Sequence, residues 1–101
     1  MKIDKVQNEN TLTLVLEGEL DSSQSKLLEE EIHNIKDDIS NLILDLEKLE
    51  YTSSAGIRTF LLANKKMKEK NGTLKLVKVN ANVYEILKMA ALIDILHPEK
   101  A

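Results

Sequence analysis

The chain contains no cysteine, which excludes disulfides, thiolate metal ligands and thiol nucleophiles and suits a reducing compartment. Only Tyr51, Phe60 and Tyr84 are aromatic, too few to build a stacking platform for bases. Acidic and basic residues are interspersed at a formal net charge of −3, so no single-sign face marks nucleic acid or anionic lipid as a partner. No apolar run approaches the roughly 18 to 20 residues that a membrane span requires. The opening "MKIDKVQNEN" lacks the apolar core of a secretion signal. The expected location is cytoplasmic, with no membrane and no nucleic acid involved.

Catalytic and cofactor signatures are equally sparse. The two histidines, His33 and His97, stand apart without spaced carboxylate partners, so no metal set is predicted. There is no G-x-S-x-G elbow to activate a serine, no P-loop and no G-x-G-x-x-G. The expectation is a protein that is not an enzyme and holds no cofactor of its own.

What is present is a regular alternation of segment types. With 101 residues, 43% of them hydrophobic, the chain suits a single domain over 1–101 with one core. "KIDKVQ" and "TLTLVLEG" alternate apolar and polar residues around "NEN", which predicts two strands in an antiparallel hairpin. Beyond Gly18 the period becomes helical at Leu28, Ile32, Ile35 and Ile39, with Asp21 or Ser22 as the expected cap and Gln24 three residues past Asp21. The apolar run Leu42 to Leu46 predicts a central strand covered on both faces. From about Ser54 to Lys70, Ile57, Phe60, Leu61, Ala63 and Met67 form an apolar stripe, and Asn71–Gly72 ends the helix. Lys65, Lys66, Lys68 and Lys70 read as its solvated face. "TLKLVKV" predicts another strand, and Asn80 the cap of a third helix with Val83, Ile86, Leu87 and Ala90 inward. "IDIL" is expected to be a short extended piece before Pro98.

The order β-β-α-β-α-β-α, with a short final strand, predicts a small mixed α/β sheet packed with helices. Loops leaving the carboxyl ends of neighbouring parallel strands converge on one edge, where the next helices present their N-termini. That rule brings "GELDSS", Gly18 to Ser23, beside "EYTSSAG", Glu50 to Gly56. Within the hydroxyl cluster, Thr52 or Ser53 is a helix cap contributing about 1 kcal/mol. Ser54 falls just inside the helix, where free N–H groups and the dipole favour an added negative charge. A phosphoryl group there would add about −1.5 to −2 charge, and Arg58, four residues on, lies within its reach.

The segments "LEGELD", "LILDLEKLEYTSSAGIRTFLL" and "GTLKLVKVNANVYEILKMAALIDIL" resemble the STAS domains of bacterial anti-sigma factor antagonists, and the resemblance covers nearly the whole chain. Its most specific part is an apolar-Asp-Leu strand followed by an aromatic, a serine cluster and Gly-apolar. The family's phosphorylatable serine lies two residues before that glycine, at Ser54 in this sequence. This chain has Ser53 where the family pattern has Asp and Ala55 where it has Ser or Thr, whereas Asp21 matches the acid that ends the second strand. The resemblance implies a partner-switching regulator. Its unphosphorylated form would bind an anti-sigma factor that is also a serine kinase of the GHKL type, releasing a sigma factor to act in transcription. Phosphorylation at Ser54 would end that complex, and a phosphoserine phosphatase would restore it, with ATP and magnesium belonging to the kinase. The implied partner surface comprises Asp21, Ser22, Ser23, Thr52, Ser53, Ser54, Gly56, Ile57 and Arg58. The competing reading within the same family is a docking or scaffold subunit of a signalling or transport complex, without a phosphorylation cycle.

Overall fold

The computed structural model describes residues 1–101. Strands β1 (Lys2–Asn8), β2 (Thr11–Leu20), β3 (Asn41–Thr52) and β4 (Thr73–Val77) form one sheet in that spatial order. Helices α1 (Ser25–His33), α2 (Ser54–Glu69), α3 (Ala81–Met89) and α4 (Ile93–Leu96) follow in chain order. β1 pairs antiparallel with β2 through the tight turn at Glu9–Asn10, while β2–β3 and β3–β4 are parallel and joined by α1 and α2. The sheet is therefore mixed, as the order of segments implies.

One core of 20 buried apolar residues holds the domain together, and all four helices contribute to it: Leu28 and Ile32 from α1, Phe60, Ala63 and Met67 from α2, Val83 and Leu87 from α3, Leu96 from α4. From the sheet come Leu14 and Leu16, Leu42, Leu44 and Leu46, and Leu76. These lie on one face, because side chains alternate along a strand and in-register partners share a face. The other face carries Thr13, Val15, Ile43, Asp45 and Val77, all only half-buried. The central strand is thus covered on one face and not on both. Its second face holds Asp45, paired with Lys78 at 3.6 Å, which an enclosed strand would not tolerate.

Three other expectations change. Helix α1 stops at His33, and Ile35 and Ile39 enter the core from an irregular connection instead. The acidic pair Asp37–Asp38 would sit at a helix C-terminus, where the dipole disfavours negative charge. Lys66 of α2 and Lys70 at its C-cap also take carbonyls there: Lys66 Nζ donates to His33 O at 2.9 Å and Lys70 Nζ to Lys36 O at 2.8 Å. These two lysines are therefore straps between α2 and the α1–β3 connection and not merely a solvated face. The cap of α1 is also displaced, since the N-cap position is Gln24, without a side-chain cap, and Asp21 closes the preceding turn.

The segment "IDIL" is the short helix α4, not a strand. Leu92 and Leu96, four apart, are both buried, so the helical period wins over the local alternation. The expected final strand shrinks to a parallel bridge at Lys100 with Val79, where Glu99 N–H donates to Leu76 O and Val79 N–H to Glu99 O. Lys100 Nζ lies 4.4 Å from the centre of the Tyr84 ring, fastening this tail to α3.

Gly56, in the first turn of α2, is where the helix meets the sheet most closely. A Cβ there would lie against Thr52 Oγ1 and only 2.7 Å from Leu20 Cγ. Gly56→Ala is accordingly expected to destabilise the domain by about 1–3 kcal/mol through overpacking, measured as a fall in the urea midpoint. An unchanged midpoint would mean that α2 does not rest on Leu20 and Thr52 as described.

Candidate functional site

The β2 and β3 strands run parallel to their ends, so Leu20 and Thr52 are direct partners. The contact continues past the strands, with Ser53 N–H donating to Leu20 O at 2.9 Å. Gly18–Asp21 and Thr52–Gly56 therefore share one edge of the sheet. Gly18, at φ 104°, lies next to a register shift between Gly18 and Glu19. Only glycine adopts that backbone without strain, and the irregularity turns the end of β2 toward β3.

The three hydroxyls of the cluster do different things. Thr52 is buried and donates to Ser53 O at 3.2 Å. Ser53 is the N-cap of α2: its Oγ accepts from Gly56 N–H at 3.3 Å, and its carbonyl from Ile57 N–H at 3.0 Å. This resolves the choice between Thr52 and Ser53 as cap. Ser54 is the first residue of the helix and is exposed. The hydrogen bonds of this segment engage Thr52, Ser53 and Thr59 and leave the Ser54 hydroxyl free.

Asp21 follows β2 at the same edge. Its Oδ1 accepts from Ser23 Oγ at 2.8 Å and from Gln24 N–H at 2.9 Å. These bonds, the backbone one foremost, hold its carboxyl below the ordinary value of 3.8. Ser22 is exposed, and its carbonyl accepts from the buried Ser25 hydroxyl at 2.9 Å. Arg58 is exposed on the second turn of α2, and Ile57 is half-buried beside it. All nine residues singled out in the sequence thus lie at or near the same edge.

Sequence reasoning missed the far wall. An apolar cleft of about 410 Å³ opens beside Ser54, walled by Tyr51 and Ile57 on one side and by Ile86 and Met89 of α3 and its C-cap Ala90 on the other. Tyr51 is 44% exposed and Met89 82%. Ile86 and Ala90, read as core from their spacing, instead serve this cleft, and Ala90 is exposed. α3 is held in place by two amides that reach back to β3: Asn80 Nδ2 donates to Leu49 O at 2.6 Å and Asn82 Nδ2 to Glu50 O at 2.9 Å. Asn80 Oδ1 meanwhile caps α3 by accepting from Val83 N–H. The signal in the sequence was Met89, a long apolar side chain one turn after Ile86 with no core position left to fill.

The two histidines lie away from this edge. His33 Nε2 is 3.5 Å from Glu29 on α1, His97 follows α4 near the chain's end, and neither lines the edge. No three His, Asp or Glu side chains converge to hold a metal, and no helix is long and apolar enough to cross a membrane. The arrangement offers an exposed hydroxyl on a helix N-terminus, bordered by an apolar cleft.

The sign of the Asp21 shift yields a test. A carboxylate with a lowered folded pKa stabilises its turn above the unfolded value, and that stability is lost as pH falls through the lower folded value. An NMR titration of the Asp21 carboxyl should therefore show a midpoint below 3.8, with the Gln24 amide shifting in step. A midpoint at or above that value would mean that the Asp21 turn is not formed.

The family model of the STAS domain matches residues 2–100. A candidate anti-sigma factor antagonist of Bordetella bronchiseptica, BtrV, is 29% identical over 96 residues, covering 94% of this chain and 83% of that protein. The anti-sigma-B factor antagonist of Bacillus subtilis is 26% identical, covering 95% and 88%. Among solved structures, the Bacillus cell fate determinant SpoIIAA in its phosphorylated form superposes with a TM-score of 0.78 at 16% identity, over 99% of this chain and 91% of that one. With the matched model spanning all but the chain's two end residues, this protein belongs to the STAS domain family.

Proposed function

We propose that this STAS domain is an anti-sigma factor antagonist whose binding is switched by phosphorylation of Ser54. The observation that carries the reading is the position of Ser54, exposed and without a hydrogen-bond partner, on the rim of the apolar cleft. Relatives similar over almost the whole chain bear the name of anti-sigma factor antagonist, and one neighbour of the same fold is known in a phosphorylated form. In the unphosphorylated state a partner surface closes over the edge, with apolar side chains seated between Tyr51 and Met89. The partner is an anti-sigma factor that is also a serine kinase of the GHKL type, acting on a cytoplasmic protein.

In the transfer step the Ser54 oxygen attacks the γ-phosphorus of ATP held by the kinase. The O–P bond to Ser54 forms, the bond to the β-phosphate bridging oxygen breaks, ADP leaves and the serine proton passes to the kinase. This chain supplies only the hydroxyl and its presentation. Ser53 holds the helix start and the dipole of α2 stabilises the product's charge. The added dianion then lies where the partner's apolar surface has to close, and desolvating it costs more than the contact returns. A phosphoserine phosphatase reverses the switch.

Two measurements test the reading. Incubated with the kinase and ATP, wild type and Ser53→Ala should each gain one phosphate and Ser54→Ala none, by mass spectrometry and phosphopeptide mapping. In calorimetric titrations with the same anti-sigma factor, Ser54→Ala should bind as wild type does. Ser54→Asp should bind about a hundredfold more weakly, equivalent to about 2.7 kcal/mol. Equal affinity for all three would remove the Ser54 edge from the interface and favour the docking-scaffold reading.

A further inference from the structure

The chain has no cysteine and three methionines, so its only oxidisable sulfurs are thioethers. The three are placed very differently. Met67 of α2 is fully buried in the core, and Met1 is half-buried against it. Met89, the last residue of α3, is 82% exposed, the most open to solvent of the large apolar side chains. A thioether so placed is within reach of any small oxidant in the surrounding water, whereas one inside a close-packed core is not. Met89 is also a wall of the apolar cleft that Ser54 borders, and no charged side chain lines that cleft. The one fully accessible sulfur of the chain therefore stands on the surface beside the candidate phosphorylation site.

We infer that Met89 is an oxidation site through which hydrogen peroxide weakens docking at the Ser54 edge. This rests on the reading of the cleft as the partner's docking surface and adds to it a second control that needs no kinase. The Met89 sulfur attacks one peroxide oxygen. An S–O bond forms from a sulfur lone pair, the O–O bond breaks, and the departing hydroxide takes the proton of the new S–OH group and leaves as water. The sulfur loses two electrons and the peroxide gains them. The product is a sulfoxide, which turns a flexible apolar wall into a polar one. Its oxygen is hydrated in the free chain and has to shed that water when an apolar partner surface closes over it. A methionine sulfoxide reductase restores the thioether.

Treated with hydrogen peroxide while folded, the wild-type chain should gain its first oxygen atom on the peptide that holds Met89, about tenfold faster than on Met67, by mass spectrometry. Its thermal midpoint should stay that of the reduced chain, because no core residue is touched. The anti-sigma factor of the Ser54 titrations, added before the peroxide, should protect Met89. Titrated with that same anti-sigma factor, the Met89-oxidised chain should bind about tenfold or more weakly than the reduced one. Met89→Leu keeps an apolar wall, so it should bind as reduced wild type does and hold that affinity after peroxide treatment. Oxidation no faster at Met89 than at Met67 would overturn the inference, as would equal affinity of the oxidised and reduced chains. Loss of affinity in peroxide-treated Met89→Leu would overturn it too, by placing the damage elsewhere. Should Ser54→Asp bind as wild type does while Met89 oxidation still weakens binding, the phosphorylation switch falls and the control at Met89 stands.

Discussion

Everything at the candidate site depends on the parallel pairing of β2 with β3, carried to the very ends of both strands. Leu20 opposite Thr52, and the bond from Ser53 N–H to Leu20 O, turn two loops about thirty residues apart in sequence into one surface. The absence of a side chain at Gly56 lets α2 start directly against that junction. Because the helix begins there, its N-terminal dipole, its cap and its first exposed hydroxyl all fall at the sheet edge. A shift of the β2–β3 register by one residue would flip Leu20 and Thr52 out of the core and move Ser54 with them.

The division of labour between adjacent serines follows from the same geometry. Ser53 adopts an extended backbone and spends its side chain on Gly56 N–H, so it is a structural residue. Ser54, one position on, is already helical and points its hydroxyl at nothing within the chain. Where the family pattern places an aspartate, this chain uses Ser53, and either side chain can accept the same N–H bond. The substitution preserves the cap while leaving the helix start less negative, which leaves more of the dipole available to an added phosphate.

The elements around the edge are fixed by polar side chains acting at a distance from it. Asn80 and Asn82 tie α3 to β3 at the residues just before Tyr51, which sets the width of the apolar cleft. Lys66 and Lys70 fasten the opposite end of α2 to the carbonyls after α1. α3 is thus tied at its start and α2 at its end over an apolar core, with the cleft beside Ser54 between them.

Residue periodicity by itself determined the element order as far as α3, the core stripe of α2 and the cap of α3, because amphipathic spacing and cap chemistry are local. The strand-to-helix order also determined which loops would share an edge, since parallel strands place their carboxyl ends together. Other features required tertiary structure. Whether Leu42–Leu46 was covered once or twice depended on where α1 and α2 packed, and periodicity does not report sidedness. The end of α1 was decided by lysines more than thirty residues away, and α4 by a core position waiting for Leu96. Ile86, Met89 and Ala90 gained a shared purpose with Tyr51 only when α3 was fixed beside α2. A helix face shows which residues turn together, and only its neighbours decide whether that face is core or cleft.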